Sequence, residues 1–180
     1  MGHWAAITVL GKDCPGIVAG VTRCLFEHGC NLEDTSATRL RDAFAMILIA
    51  RLPEPPRVAD LQARLDRVAA ELSIGLDLRD LGEEAPEPAP AGSRQMLSVY
   101  GADRPGIVYH VSAQLAALEC NVTDVTTRFV GPAEAPIYLM MLEMTVPPSV
   151  EPAALDEQLV RLRQALNVDI TLRSVDEETL

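Results

Sequence analysis

Two loops hold the residue types in this sequence best suited to binding chemistry: Gly11-Lys12-Asp13-Cys14-Pro15-Gly16 and Gly101-Ala102-Asp103-Arg104-Pro105-Gly106. An apolar, strand-like run precedes each loop, and a helix-like apolar pattern follows it. A strand that enters a helix through glycine leaves free N–H groups at the positive end of the helix dipole, which suits a carboxylate or another anion. Gly16 and Gly106 have no side chain, so a ligand can approach the backbone closely. The implied chemistry is a pocket for an amino acid or a similar small carboxylate. The same spacing also fits a structural role in which Asp13 and Asp103 cap the helices and the glycines only permit tight packing.

A second constellation follows each loop: Cys30-Asn31 with Asp34, and Cys120-Asn121 with Asp124. An Asn amide donates and accepts, so Asn31 and Asn121 can read the carboxylate or the ammonium of an amino acid. In a regular strand, Asp34 falls on the face opposite Asn31. The alternative for each asparagine is an Asx turn that starts the strand.

Other chemistry is thin. His3, His28 and His110 are scattered, with no metal-ligand spacing, so no metal is expected. Cys14 lies beside Lys12 at a predicted helix start, which could lower its pKa, but Arg104 stands at the equivalent place. No nucleophile elbow, Walker loop or dinucleotide fingerprint occurs, so neither enzymatic activity nor a cofactor is expected.

The two constellations belong to a duplication. At a shift of 90, Gly11–Val21 and Gly101–Val111 agree at seven of eleven positions, and Leu25, Cys30, Asn31 and Asp34 recur as Leu115, Cys120, Asn121 and Asp124. A four-residue insertion near Gly131–Pro136 moves the shift to 94, after which Leu61, Leu65, Val68 and Leu72 recur as Leu155, Leu159, Leu162 and Leu166. In each copy, short apolar runs (Ala5–Val9 and Met96–Tyr100) predict strands. Pro15-Gly16 and Pro105-Gly106 then open helices, with proline favoured in the first turn. Ile17, Val18, Val21, Cys24 and Leu25 share one helical face, as do Ile107, Val108, Val111, Leu115 and Leu118. Gly29 suits a left-handed helix end, whereas Glu119 in its place predicts a differently built end. Two strands (Asn31–Thr38 and Phe44–Leu52, then Asn121–Phe129 and Ile137–Val146), a leucine-striped helix and an alternating strand complete each copy.

The order is β-α-β-β-α-β twice, an α+β, ferredoxin-like arrangement. Right-handed crossovers put both helices of a copy on one face of a four-stranded antiparallel sheet. The expected organisation is one domain over 1–81, a Pro/Glu/Ala-rich extended linker over 82–93, a second domain over 94–175 and an acidic tail over 176–180. Exposed sheet edges invite pairing, so the copies are expected to pack together within the chain or across a homodimer.

Composition narrows the partners. Fifteen Lys and Arg against 26 Asp and Glu give a net charge of −11 in 180 residues, which disfavours direct nucleic-acid binding. Aromatic residues are 4%, too few for a base-stacking platform. No apolar run is long enough to span a bilayer and no signal-peptide pattern is present, so a cytoplasmic protein is expected, with its four cysteines as free thiols.

Gly-Ala-Asp-Arg-Pro-Gly-Ile-Val (101–108), Gly-Cys-Asn-Leu-Glu-Asp (29–34) and the β-α-β-β-α-β order resemble the ACT domain, a small regulatory module that commonly binds amino acids at interfaces between copies. Two such copies without a catalytic domain resemble the glycine cleavage system transcriptional repressor family. The resemblance implies a non-enzymatic regulator that senses a small ligand and acts through a protein partner. By matching position, it carries ligand binding to Asp13, Cys14, Gly16, Ile17, Asn31 and Asp34, and to Asp103, Arg104, Gly106, Ile107, Asn121 and Asp124. Cys14 departs from the usual arginine, which implies unequal sites.

Overall fold

The structure, a computed structural model, describes residues 2–83, 91–132, 134 and 136–175. The chain divides into two compact units, Met1–Glu87 and Pro88–Leu180. In the first, β1 (Trp4–Lys12), α1 (Ile17–Glu27), β2 (Asn31–Leu40), β3 (Ala43–Arg51), α2 (Val58–Leu72) and β4 (Ile74–Gly82) follow in order. The second repeats them as β5 (Ser93–Ala102), α3 (Ile107–Ala117), β6 (Asn121–Val130), β7 (Ile137–Val146), α4 (Pro152–Leu166) and β8 (Asp169–Ser174). Strand orders are β2-β3-β1-β4 and β6-β7-β5-β8, and every paired neighbour is antiparallel.

One face of each sheet carries the core. In the first unit, alternate residues Ala5, Ile7 and Val9 of β1 and Met46, Leu48 and Ala50 of β3 are buried, and Ile17, Val21 and Leu25 of α1 and Leu61 and Leu65 of α2 close over them. In the second, Leu97, Val99, Met140, Leu142 and Met144 meet Val111, Leu115, Leu155, Leu159 and Leu162. Every other side chain along a strand points to the opposite face, and Ile47, on that face of β3, is exposed.

The helix starts differ from expectation. Pro15 and Pro105 lie before the helices, and Gly16 and Gly106 are the N-caps, at φ 101° and 96°. Only glycine adopts such angles readily. Val18 and Val108 are exposed, because burial is confined to the narrower stripe of Ile17, Val21, Cys24 and Leu25 and its counterpart.

The helix ends correct another expectation. Glu119 is not built differently from Gly29; it takes the same left-handed conformation, φ 56° against 79°. The hydrogen bonds also repeat: Gly29 N–H donates to Phe26 C=O at 2.9 Å and Cys30 N–H to Leu25 C=O at 3.0 Å, while Glu119 and Cys120 donate to Ala116 and Leu115 at 3.0 Å each. The capping bonds hold a non-glycine residue in a conformation that costs it about 1–2 kcal/mol. Glu119→Gly should therefore stabilise the second unit by about 1 kcal/mol, raising its midpoint by roughly 4–8 °C in thermal unfolding.

Gly82 ends β4 opposite Trp4, and Ser93 begins β5 opposite Val146, so the ladders take up both ends of the expected linker. Residues 84–90 of that segment and the tail 176–180 lie outside the described residues.

Candidate functional site

At the loop end of the first unit, α1 has no side-chain cap, so Asp13 is not the capping residue. Its carboxylate instead sits 2.9 Å from Nε of Arg39, and its backbone N–H donates to Asp42 C=O at 2.7 Å. Asp13 thus ties the loop to the β2–β3 hairpin. In the second unit α3 also lacks a side-chain cap. Phe129 stands where Arg39 does and packs edge-on against Tyr138, with centroids 5.9 Å apart. Asp103 makes no ion pair among the described residues. Burial first, and the Asp103 charge second, push the Tyr138 phenol above its ordinary value against a hydrogen bond with Thr127.

Gly16 is open: a Cβ there would meet nothing within 4 Å. At Gly106 it would lie 3.3 Å from Cδ2 of His110. Ile17 and Ile107 are core residues, 2% exposed, so only their backbones can face a ligand. Cys14 is half-buried against the first core, while Arg104 is exposed. The loop's first glycine has a packing role as well. A Cβ at Gly11 would fall 2.5 Å from Cγ2 of Ile74, and one at Gly101 3.0 Å from Cγ1 of Val168.

The other end of the sheet holds the asparagines. Asn31 pairs with Arg51, Leu32 with Ala50 and Asp34 with Ile49, which leaves Glu33 as an extra residue in a β-bulge. Paired residues share a face, so the bulge places Asp34 on the same face as Asn31, not the opposite one. The second unit repeats this, with Asn121 opposite Thr145 and Asp124 opposite Glu143. Glu33 crosses the sheet end: it accepts from Nε1 of Trp4 at 2.7 Å and lies 3.4 Å from Nε of Arg51. Gly29, Asn31, Arg51, Leu52 and Glu54 line a cavity of about 410 Å³. There an amide and a guanidinium stand together, groups that suit a carboxylate. The second unit has buried Thr145 in place of Arg51, so it lacks that cation.

The structure does not gather the expected residues into one pocket. Asn31 aligns with Arg51 and Trp4 at one end of the ladder, and Leu40 with Ala43 and Lys12 at the other. Arg51 and Ala43 are eight residues apart, so the asparagine and the glycine loop stand about 26 Å apart within a unit. Neither Arg51 nor Glu33 belongs to the loop or asparagine residues expected to bind a ligand. The available signal for Arg51 was its strand register, which the bulge obscures.

The family model described as the ACT domain matches residues 3–79. A UPF0237 protein of Methanopyrus kandleri is 45% identical over 71 residues, covering 39% of this chain and 79% of the relative. The chain belongs to the ACT-domain family. The second unit repeats the topology and the bulge of the matched ACT domain. The glycine cleavage system transcriptional repressor of Escherichia coli is similar across both ACT domains, 26% identical over 178 residues, covering 97% of this chain and 91% of that one. The crystal structure of an unknown protein from Galdieria sulphuraria, 24% identical, shares the fold with a TM-score of 0.83 over 98% of this chain and 100% of that one.

Among the described residues of the two ACT domains, no group of three or more His, Cys, Asp or Glu is placed to hold a metal ion. No described helix is long and apolar enough to cross a membrane. All four cysteines are free, and burial pushes the Cys30 thiol up to about 11, which keeps it protonated and unreactive at neutral pH.

Proposed function

We propose that the protein is a non-enzymatic regulator of amino-acid metabolism that senses a small ligand, an amino acid, through its tandem ACT domains and acts on a protein partner. The observation that carries this reading is the repeated, uncapped helix start at Gly16 and Gly106. There the backbone N–H groups of the first turn face no side-chain acceptor and suit a carboxylate. The similarity to a transcriptional repressor over nearly the whole chain supports the regulatory role. The net charge of −11 supports action through a protein in the cytoplasm rather than direct contact with DNA.

Each domain offers a loop end, at Asp13, Cys14, Gly16 and Ile17 or Asp103, Arg104, Gly106 and Ile107, and an asparagine end, at Asn31 and Asp34 or Asn121 and Asp124. A free amino acid cannot bridge the 26 Å or so between the ends. We therefore propose that the site is completed in a homodimer, where a second protomer brings its asparagine end beside the loop. A thermal-shift screen of the twenty amino acids tests the sensor. A ligand at 100 times its dissociation constant should stabilise the protein by about 2.7 kcal/mol. No shift with any of them would overturn the sensor reading and favour a ligand-free interaction module.

A further inference from the structure

The internal duplication offers a comparison within one chain of the groove between the two helices of each unit. In the first unit this groove is narrow, about 270 Å³. Gly20 lets α1 approach α2 so closely that a Cβ there would stand 3.1 Å from Cδ1 of Leu72. Its walls are charged and balanced, with Arg23, Arg64 and Arg67 beside Glu27 and Glu71.

In the second unit the same groove is about 510 Å³, within the size range of small-ligand sites. His110 stands at the position of Gly20, Gln114 at that of Cys24 and Gln158 at that of Arg64. Of the three arginines only Arg67 has a counterpart, Arg161, and Leu162 and Leu166 form an apolar floor. The helical stripe beneath is unchanged in kind, so the fold is kept while the groove lining differs.

The polar groups have few competing partners. The Gln114 and Gln158 side chains make no hydrogen bond to another described residue. Among the described residues the Arg161 guanidinium reaches only Glu157, at 3.2 Å, with both side chains about two-thirds exposed. Such an exposed i, i+4 pair is weak and exchanges readily for an incoming carboxylate. His110 is placed by edge contact with Tyr109, their centroids 5.1 Å apart.

We propose that the α3–α4 groove is a second binding site, for a small organic carboxylate with a short apolar body. Arg161 takes the carboxylate, the Gln114 and Gln158 amides and the His110 ring satisfy its remaining polar atoms, and Leu162 and Leu166 cover the apolar part. A single guanidinium on a chain of net charge −11 suits one carboxylate better than a phosphate. The groove adjoins the Asp103–Ile107 loop at His110, whose ring lies 3.3 Å from where a Cβ at Gly106 would stand, but its carboxylate-binding group, Arg161, lies on α4 and not in that loop.

The test is heteronuclear NMR of the full chain titrated with hexanoate, with hexanamide as the neutral probe. Hexanoate should shift the side-chain amides of Gln114 and Gln158 and the Arg161 Nε signal, with a dissociation constant on the order of millimolar. Arg161→Gln, an exposed change that preserves the helix, should weaken this binding about fivefold or more, and hexanamide should bind wild type correspondingly worse. Shifts confined to the Asp103–Ile107 loop, equal affinity in Arg161→Gln, or no saturable shift at tens of millimolar would each overturn the groove site.

Discussion

Gly106→Val should abolish binding at the loop of the second ACT domain, a loss of more than about 100-fold measured by calorimetric titration with the amino acid the screen identifies. Two effects act together. At φ 96° a β-branched residue is strained by about 1–3 kcal/mol, so the helix start shifts and its N–H groups lose their aim. The new side chain also occupies the approach and presses on His110, whose ring lies 3.3 Å from the Cβ position. Circular dichroism should stay native, because Gly106 is a surface turn residue with the core beneath it intact. Gly16→Val should matter less, since Cys14 supplies no cation where Arg104 does. At Gly16 the added Cβ meets nothing within 4 Å, so any loss there reports strain and access alone. Unchanged affinity in both variants, with the fold intact, would remove the loops from the site.

The repeat made most of the fold legible, because both copies independently show the same apolar periods. Met46, Leu48 and Ala50 alternate, and Leu61 and Leu65 fall one turn apart; all of them are buried. Legibility failed where geometry departs from a regular period. The bulge at Glu33 reverses the face on which Asp34 falls, and no composition cue marks an extra residue inside an otherwise regular strand. Glu119 takes a conformation that its side chain disfavours, because two backbone hydrogen bonds decide the turn. Asp13 has the residue type of a cap but is taken by Arg39, a partner 26 positions away in sequence.

The candidate site was legible as residue types and not as an arrangement. Both loops and both asparagines are placed on accessible ends of their sheets, but spacing along the chain cannot show that these ends point apart. Arg51 illustrates the gap. Its relevance comes from lying opposite Asn31 across a ladder, a relation that exists only once the register is known.

Because the two ends of a unit stand apart, a site that uses both is shared between protomers. Asn31→Ala should weaken ligand binding by about 1–3 kcal/mol, roughly 5- to 150-fold, because a polar ligand group loses its partner. Arg51→Ala should act in the same direction through the same cavity. In a two-fold dimer each shared site takes the Gly16 loop from one protomer and Asn31 from the other. Mixing Gly16→Val protomers with Asn31→Ala protomers then creates mixed dimers with one site damaged twice and one site untouched. With random exchange half the dimers are mixed, so about a quarter of the first-domain sites should return at wild-type affinity, above the second-domain sites that neither variant touches. The measurement is the stoichiometry of calorimetric titration after co-refolding, compared with either variant alone. Binding that stays as weak in the mixture as in the separate variants would overturn the shared site, leaving the Gly16 loop and the Asn31–Arg51 cavity as independent surfaces of one ACT domain.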